Sequence, residues 1–206
     1  MILVLLTALT VASAPSPPAA PPAFTEEDLR AHPTLATWLA VWTREPSPQT
    51  DEFRISDSAQ FDAHPWPLPD PEWNLSTLTG WERVRWASSP DSEFAASVLP
   101  AADSFGRLMT GPDSQAELIR VATRSRFIVS QCGTTCVYYG AWWLDARDLL
   151  IAMADWENVR PVIIRIDPKT LTSWTFLGPA QVPRLDGPLK SDLRAWMETT
   201  YPTLRW

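Results

Sequence analysis

The chain has 206 residues, 45% of them apolar and 20% charged, which is enough for one domain with a sizeable core and too apolar for a disordered chain. A net charge of −7 excludes nucleic acid as the natural partner, because that partner needs a dense cationic surface. Seven glycines against twenty-one prolines point to stiffened loops and away from glycine-rich phosphate cradles.

The N-terminus reads "MILVLLTALTVASAPSPPAAPPAF". Ile2 to Ala14 is an uncharged, mostly apolar run of thirteen residues, short for a bilayer span, and it closes on the small-x-small pattern Ala12-Ser13-Ala14. The expectation is a signal peptide and export to the periplasm or exterior. The rival is an uncleaved N-terminal anchor, the only route by which this chain would contact a membrane. It draws on the lack of Lys or Arg before the run and on Pro15 directly after the cut. No cysteine follows the run, which argues against a lipoprotein. Pro15 to Pro22 holds five prolines and reads as an extended linker. Residues 1–23 are therefore set apart from a single domain over 24–206.

That domain opens with a helix and a proline-rich connection over 24–80. Thr25 with Asp28 forms a capping pattern, and Glu26, Glu27 and Asp28 suit the positive end of a helix. His32-Pro33 interrupts it. Leu35, Trp38, Leu39 and Trp42 then recur at i, i+3, i+4, i+7, one apolar face ending near Arg44. The following Pro-, Asp- and Ser-rich stretch predicts a long connection with a short strand at Phe53 to Ile55. Residues 24–75 hold ten acids against three arginines, and 76–206 hold fourteen of each sign, so the whole charge excess precedes the main body.

From Trp81 the period changes to two. "WERVRWAS", "FAASVL", "AELIRVAT", "RFIVSQ", "CVYYGAWWL", "DLLIAMA", "PVIIRID" and "LTSWTFL" are separated by turn signals such as Pro90-Asp91-Ser92 and Asp167-Pro168-Lys169. The expected fold is mainly β, an antiparallel meander of about seven to eight short strands over 81–178. A C-terminal helix over 179–206 closes it, with Pro188 at its first position and then Leu189, Leu193, Trp196 and Met197 on one face.

Two stretches, "WASSPDSEFAA" (86–96) and "WLDARDLLIA" (143–152), share Trp, a small spacer, Asp and an apolar strand. The first resembles the strand-turn-strand opening of blades in β-propeller proteins. The resemblance covers at most Trp81 to Leu177 and implies blade-like sheets. Two units do not close a ring, and the resemblance implies no activity.

Cys132 and Cys136 are the only cysteines. Cys-x-x-x-Cys is not the spacing of thioredoxin-like redox sites, and zinc would need two more ligands where only His32 and His64 exist, both distant and both before proline. In an oxidising compartment the pair reads as a disulfide stapling "RFIVSQ" to "VYYGAWW" as a hairpin, with Gly133 easing the turn. A free pair, and a redox or metal role, are the lesser alternatives.

Twelve tryptophans raise the question of a glycan-stacking groove. Trp38, Trp42 and Trp196 on helix faces and Trp86, Trp143 and Trp174 on strands are expected in the core. Trp66 and Trp73 lie in the proline-rich connection, and Trp142 must face away from Trp143. These three are the candidate ligand-binding residues.

For hydrolysis neither Gly-x-Ser-x-Gly nor Ser-x-x-Lys occurs, and His64 near Asp62 and Asp70 reads as a loop histidine. Asp145 with Asp148, and Asp70 with Glu72, are the nearest carboxylate pairs, and such pairs also arise in turns. Asp51, Glu52, Asp57 and Asp62 lack the spacing of a calcium loop. Arg120, Arg124 and Arg126 form a basic turn. No catalytic residue, metal site or cofactor is assigned. The expectation is an exported, non-enzymatic binding or structural protein, partnered by a glycan or another envelope component. The alternatives are a secreted glycan-acting hydrolase using a carboxylate pair, or a Trp-lined carbohydrate-binding module.

Overall fold

A computed structural model describes residues 23–44, 50–61, 66–67, 74–78, 80–98, 114–181 and 186–202. The N-terminal apolar run lies outside them. Helix α1 (Glu26–Ala31) is set by a complete capping box. The Thr25 hydroxyl accepts from the Asp28 N–H, and the Asp28 carboxylate accepts from the Thr25 N–H at 2.7 Å. His32 separates it from α2 (Pro33–Thr43), which begins on proline and ends on Arg44 in the left-handed region at φ 57°. The spaced residues Leu35, Trp38, Leu39 and Trp42 are all fully buried.

Among the described residues ten strands make two five-stranded antiparallel sheets. Strands β1 (Arg54–Gln60), β10 (Thr172–Leu177), β9 (Arg160–Asp167), β8 (Asp148–Asp155) and β7 (Cys136–Asp145) form the first sheet in that order. The second runs β2 (Trp66–Pro67), β6 (Ser125–Cys132), β5 (Ser114–Arg120), β4 (Phe94–Ser97) and β3 (Trp86–Ser88). The chain is thus two consecutive up-and-down meanders, β3 to β6 and β7 to β10, with β1 and β2 added at an edge of each. Helix α4 (Asp186–Thr200) follows.

The first sheet is the middle layer. Leu149 to Ala152 on β8 and Pro161 to Ile166 on β9 are buried at every position, and because successive residues point to opposite faces, both faces are covered. Helices α2 and α4 cover one face: the Tyr139 ring of β7 sits 5.9 Å from that of Trp38 and 6.2 Å from that of Trp196. The second sheet covers the other, with the Trp143 indole N–H donating to the Ala87 carbonyl at 2.9 Å. One apolar core runs through all three layers, and a small second cluster of Trp86, Ala95 and Ile119 lies on the outer face of the second sheet under Leu75 and Leu78. The six tryptophans expected in the core are all buried there.

Two expectations are corrected. "WERVR" is not the start of a strand but a short helix, α3 (Gly80–Arg85), and only Trp86 to Ser88 is extended. Alternating Trp, Glu, Arg and Val carries no β preference once half the residues are good helix formers, and Arg83 closes the turn by donating to the Trp86 carbonyl at 3.0 Å. The second concerns β6 and β7. They are not a hairpin, because they belong to different sheets and do not pair. The turn between them is the corner where the chain crosses from one sheet to the other.

Candidate functional site

The candidate site is built on β7. Its register against β8 slips between Tyr138 and Gly140, so that Tyr139 is an extra residue and the facing of the strand is reset. Tyr138 turns toward the second sheet and its hydroxyl lies 2.8 Å from that of Ser130. Tyr139 turns toward the helices. Beyond the bulge Trp143 faces the second sheet and Trp142 the helical side, as adjacent strand residues must. Trp143 is buried and Trp142 is half-buried.

Trp142 folds back over Gly140. A Cβ at that glycine would sit 2.5 Å from Trp142 Cζ2 and 2.7 Å from the Tyr201 hydroxyl, so the missing side chain is what lets both aromatic groups cover the strand. Tyr201, just past α4, donates to the Tyr139 carbonyl at 3.1 Å. Burial raises the phenols of Tyr139 and Tyr201 above the usual tyrosine range. It pushes Tyr138 up to about 12, against the opposing effect of its hydrogen bond with Ser130. All three stay neutral at physiological pH. From Tyr139 the aromatic contacts continue through Trp38 and Trp42 to Trp156, where the Lys190 ammonium stands 4.7 Å from the indole. Among the described residues the buried indole N–H groups of Trp38 and Trp42 find no hydrogen-bond partner.

The carboxylates near the site hold the fold. Asp145 is exposed and accepts from the Arg147 N–H at 2.6 Å, the side-chain-to-backbone turn its sequence position suggests. Asp91, Asp155 and Asp167 hold other hairpin turns in the same way. Asp148 receives both Nε and Nη2 of Arg165, Nε at 2.9 Å. Arg165 is itself buried on β9, and its Nη1 reaches Asp28 of α1 at 3.2 Å and the Ala23 carbonyl. Burial raises the pKa of Asp148, with the charges of Asp28 and Asp145 adding to it. Arg165 opposes the shift by hydrogen bond and charge. This clamp was missed at the sequence level, although an arginine inside the apolar run "PVIIRID" signals a buried charge that must find partners.

Cys132 and Cys136 have their sulfurs within bonding distance and their Cα atoms 5.6 Å apart. They close the inter-sheet corner. A Cβ at Gly133 would meet nothing within 4 Å, so the turn does not depend on glycine for space. Trp66 lies on β2, its backbone opposite Arg126, and so on the other sheet from Trp142. Asp62, His64, Asp70, Glu72 and Trp73 lie outside the described residues. The basic turn is dispersed: Arg120 stacks on Phe94 and Phe127, Arg126 pairs with Glu117 at 3.7 Å, and Arg124 sits at φ 53° in the turn itself. Among the described residues no three His, Cys, Asp or Glu side chains stand together as a metal set. The chain matches no protein-family model, no curated protein and no solved structure.

Proposed function

We propose that this is an exported, non-enzymatic binding or structural protein of the cell envelope or exterior, with Trp142 in its contact surface. The observation that carries the reading is the division of labour around β7. Asp145 holds a turn and Asp148 is spent on Arg165, whereas Trp142 stays half-buried beside Tyr201. A half-buried indole can stack on the apolar face of a sugar ring with the part it leaves to solvent, which favours a glycan as the component bound. A glycan hydrolase would need two carboxyl groups free to act across a cleft, and Asp145 with Asp148 does not offer them. Export is supported by the cysteine pair at bonding distance, since such bonds persist in oxidising compartments. Among the described residues no helix is long and apolar enough to cross a membrane.

The likeness to propeller blades belongs to the same proposal. It is supported by Trp86 and Trp143, each standing at the first strand of a four-stranded meander, and by "AELIRVAT" and "PVIIRID" each forming the third. Co-sedimentation of the protein with insoluble cell-wall glycan tests the binding reading. The wild type is expected in the pellet and Trp142→Ala in the supernatant. Equal pelleting of both, or of neither, removes Trp142 from the account.

A further inference from the structure

The disulfide corner is wired to the helical layer through one turn. The crossing Gly133 to Thr135 is exposed, Cys136 is half-buried and Cys132 is buried. Inside the closed loop the Thr135 carbonyl accepts the Trp156 N–H at 2.7 Å. Trp156 opens the β8–β9 turn, and its indole lies 5.6 Å from that of Trp42 on α2, with Lys190 of α4 over its face. The same turn ends on Val159 at φ 48°, a left-handed conformation that a β-branched residue adopts only when its surroundings impose it. The Val159 carbonyl is held by the Gln181 N–H at 2.8 Å, and Asp155 is held by Arg160 at 3.5 Å. A covalent loop thus fixes a carbonyl, the carbonyl fixes a strained turn, and the turn fixes an indole against two helices.

We propose that the Cys132–Cys136 bond is a redox-controlled clasp whose opening releases the Trp156–Val159 turn and lifts Trp156 from α2 and α4. The reductant is a dithiol. Its thiolate attacks the accessible Cys136 sulfur, forming a mixed disulfide as the Cys132–Cys136 bond breaks, and Cys132 leaves as a thiolate that takes a proton from water. The second thiol of the reductant then displaces Cys136, so that two electrons pass to the protein and the reductant leaves as its own disulfide. A loop this short adds little to global stability, so both sheets survive the opening.

The test uses the full chain with excess dithiothreitol, reduction being verified by counting thiols. The tryptophan emission is expected to shift to the red and the near-ultraviolet circular dichroism to change, with the far-ultraviolet spectrum unaltered. Trp156→Phe should lose most of the emission shift. The double variant Cys132→Ser, Cys136→Ser should show the reduced spectrum without reductant. A bond that resists the dithiol, an emission unchanged on full reduction, or a shift of the same size in Trp156→Phe overturns the clasp. So does loss of the far-ultraviolet signal, which would make the bond a staple of the whole fold.

Discussion

Arg165 is the residue on which most depends. Its guanidinium serves Asp148, Asp28 and the Ala23 carbonyl at once, joining β8, β9 and the N-terminal helix in a site almost closed to solvent. Removing it strands one buried carboxylate, Asp28, and one half-buried carboxylate, Asp148. Arg165→Met is expected to cost about 3–5 kcal/mol near neutral pH, measured by denaturant unfolding. The pH dependence has a definite sign. A carboxyl whose folded-state pKa is raised binds its proton more readily in the folded than in the unfolded chain. Stability from that group is therefore gained as pH falls through the raised value and lost as pH rises. Burial already raises Asp148, and without Arg165 the shift grows, so the deficit of the variant should narrow as pH falls from neutral. A deficit that widens on acidification would contradict the assignment. At Gly140 the conflict is steric. Gly140→Ala drives a methyl into the ring of Trp142 and the hydroxyl of Tyr201 and should destabilise by about 1–3 kcal/mol, read from the same unfolding curves.

At the scale of elements, local signals succeed where one neighbour decides the structure. Thr25 and Asp28 specify the start of α1 by themselves, and Thr25→Ala should remove about 1 kcal/mol in thermal or chemical unfolding. The i, i+3, i+4 pattern places α2 because its partners need only be apolar. The pattern failed at "WERVR", where short alternation fits a helix as well as a strand and the deciding factor is that β3 pairs only through Trp86 to Ser88. It failed again at the corner. Nothing in "RFIVSQ" or "VYYGAWW" says whether the two strands pair with each other or with β5 and β8, since both choices bury the same side chains. A disulfide across so few residues constrains the unfolded chain only slightly, so the double serine variant should lose no more than about 2 kcal/mol. A larger loss would mean that the corner organises the sheets.

For the whole molecule, the strand count, the flanking helices and the separation of Trp142 from Trp143 were legible because each follows from periodicity. The three-layer arrangement was not. It arises from long-range choices, above all the Arg165 clamp and the division of ten strands between two sheets, which no local pattern encodes. The candidate site was legible in part for the same reason. Trp142 could be singled out by strand alternation, but its dependence on Gly140 and Tyr201 comes from a bulge and a helix end that meet only in the folded chain. The most direct measurement is fractionation of cells expressing the full chain, with N-terminal sequencing and thiol counting of the recovered protein. The account predicts recovery outside the cytoplasm, a new N-terminus following Ala14 and no free thiol. A full-length chain in the cytoplasm with both thiols free would contradict it.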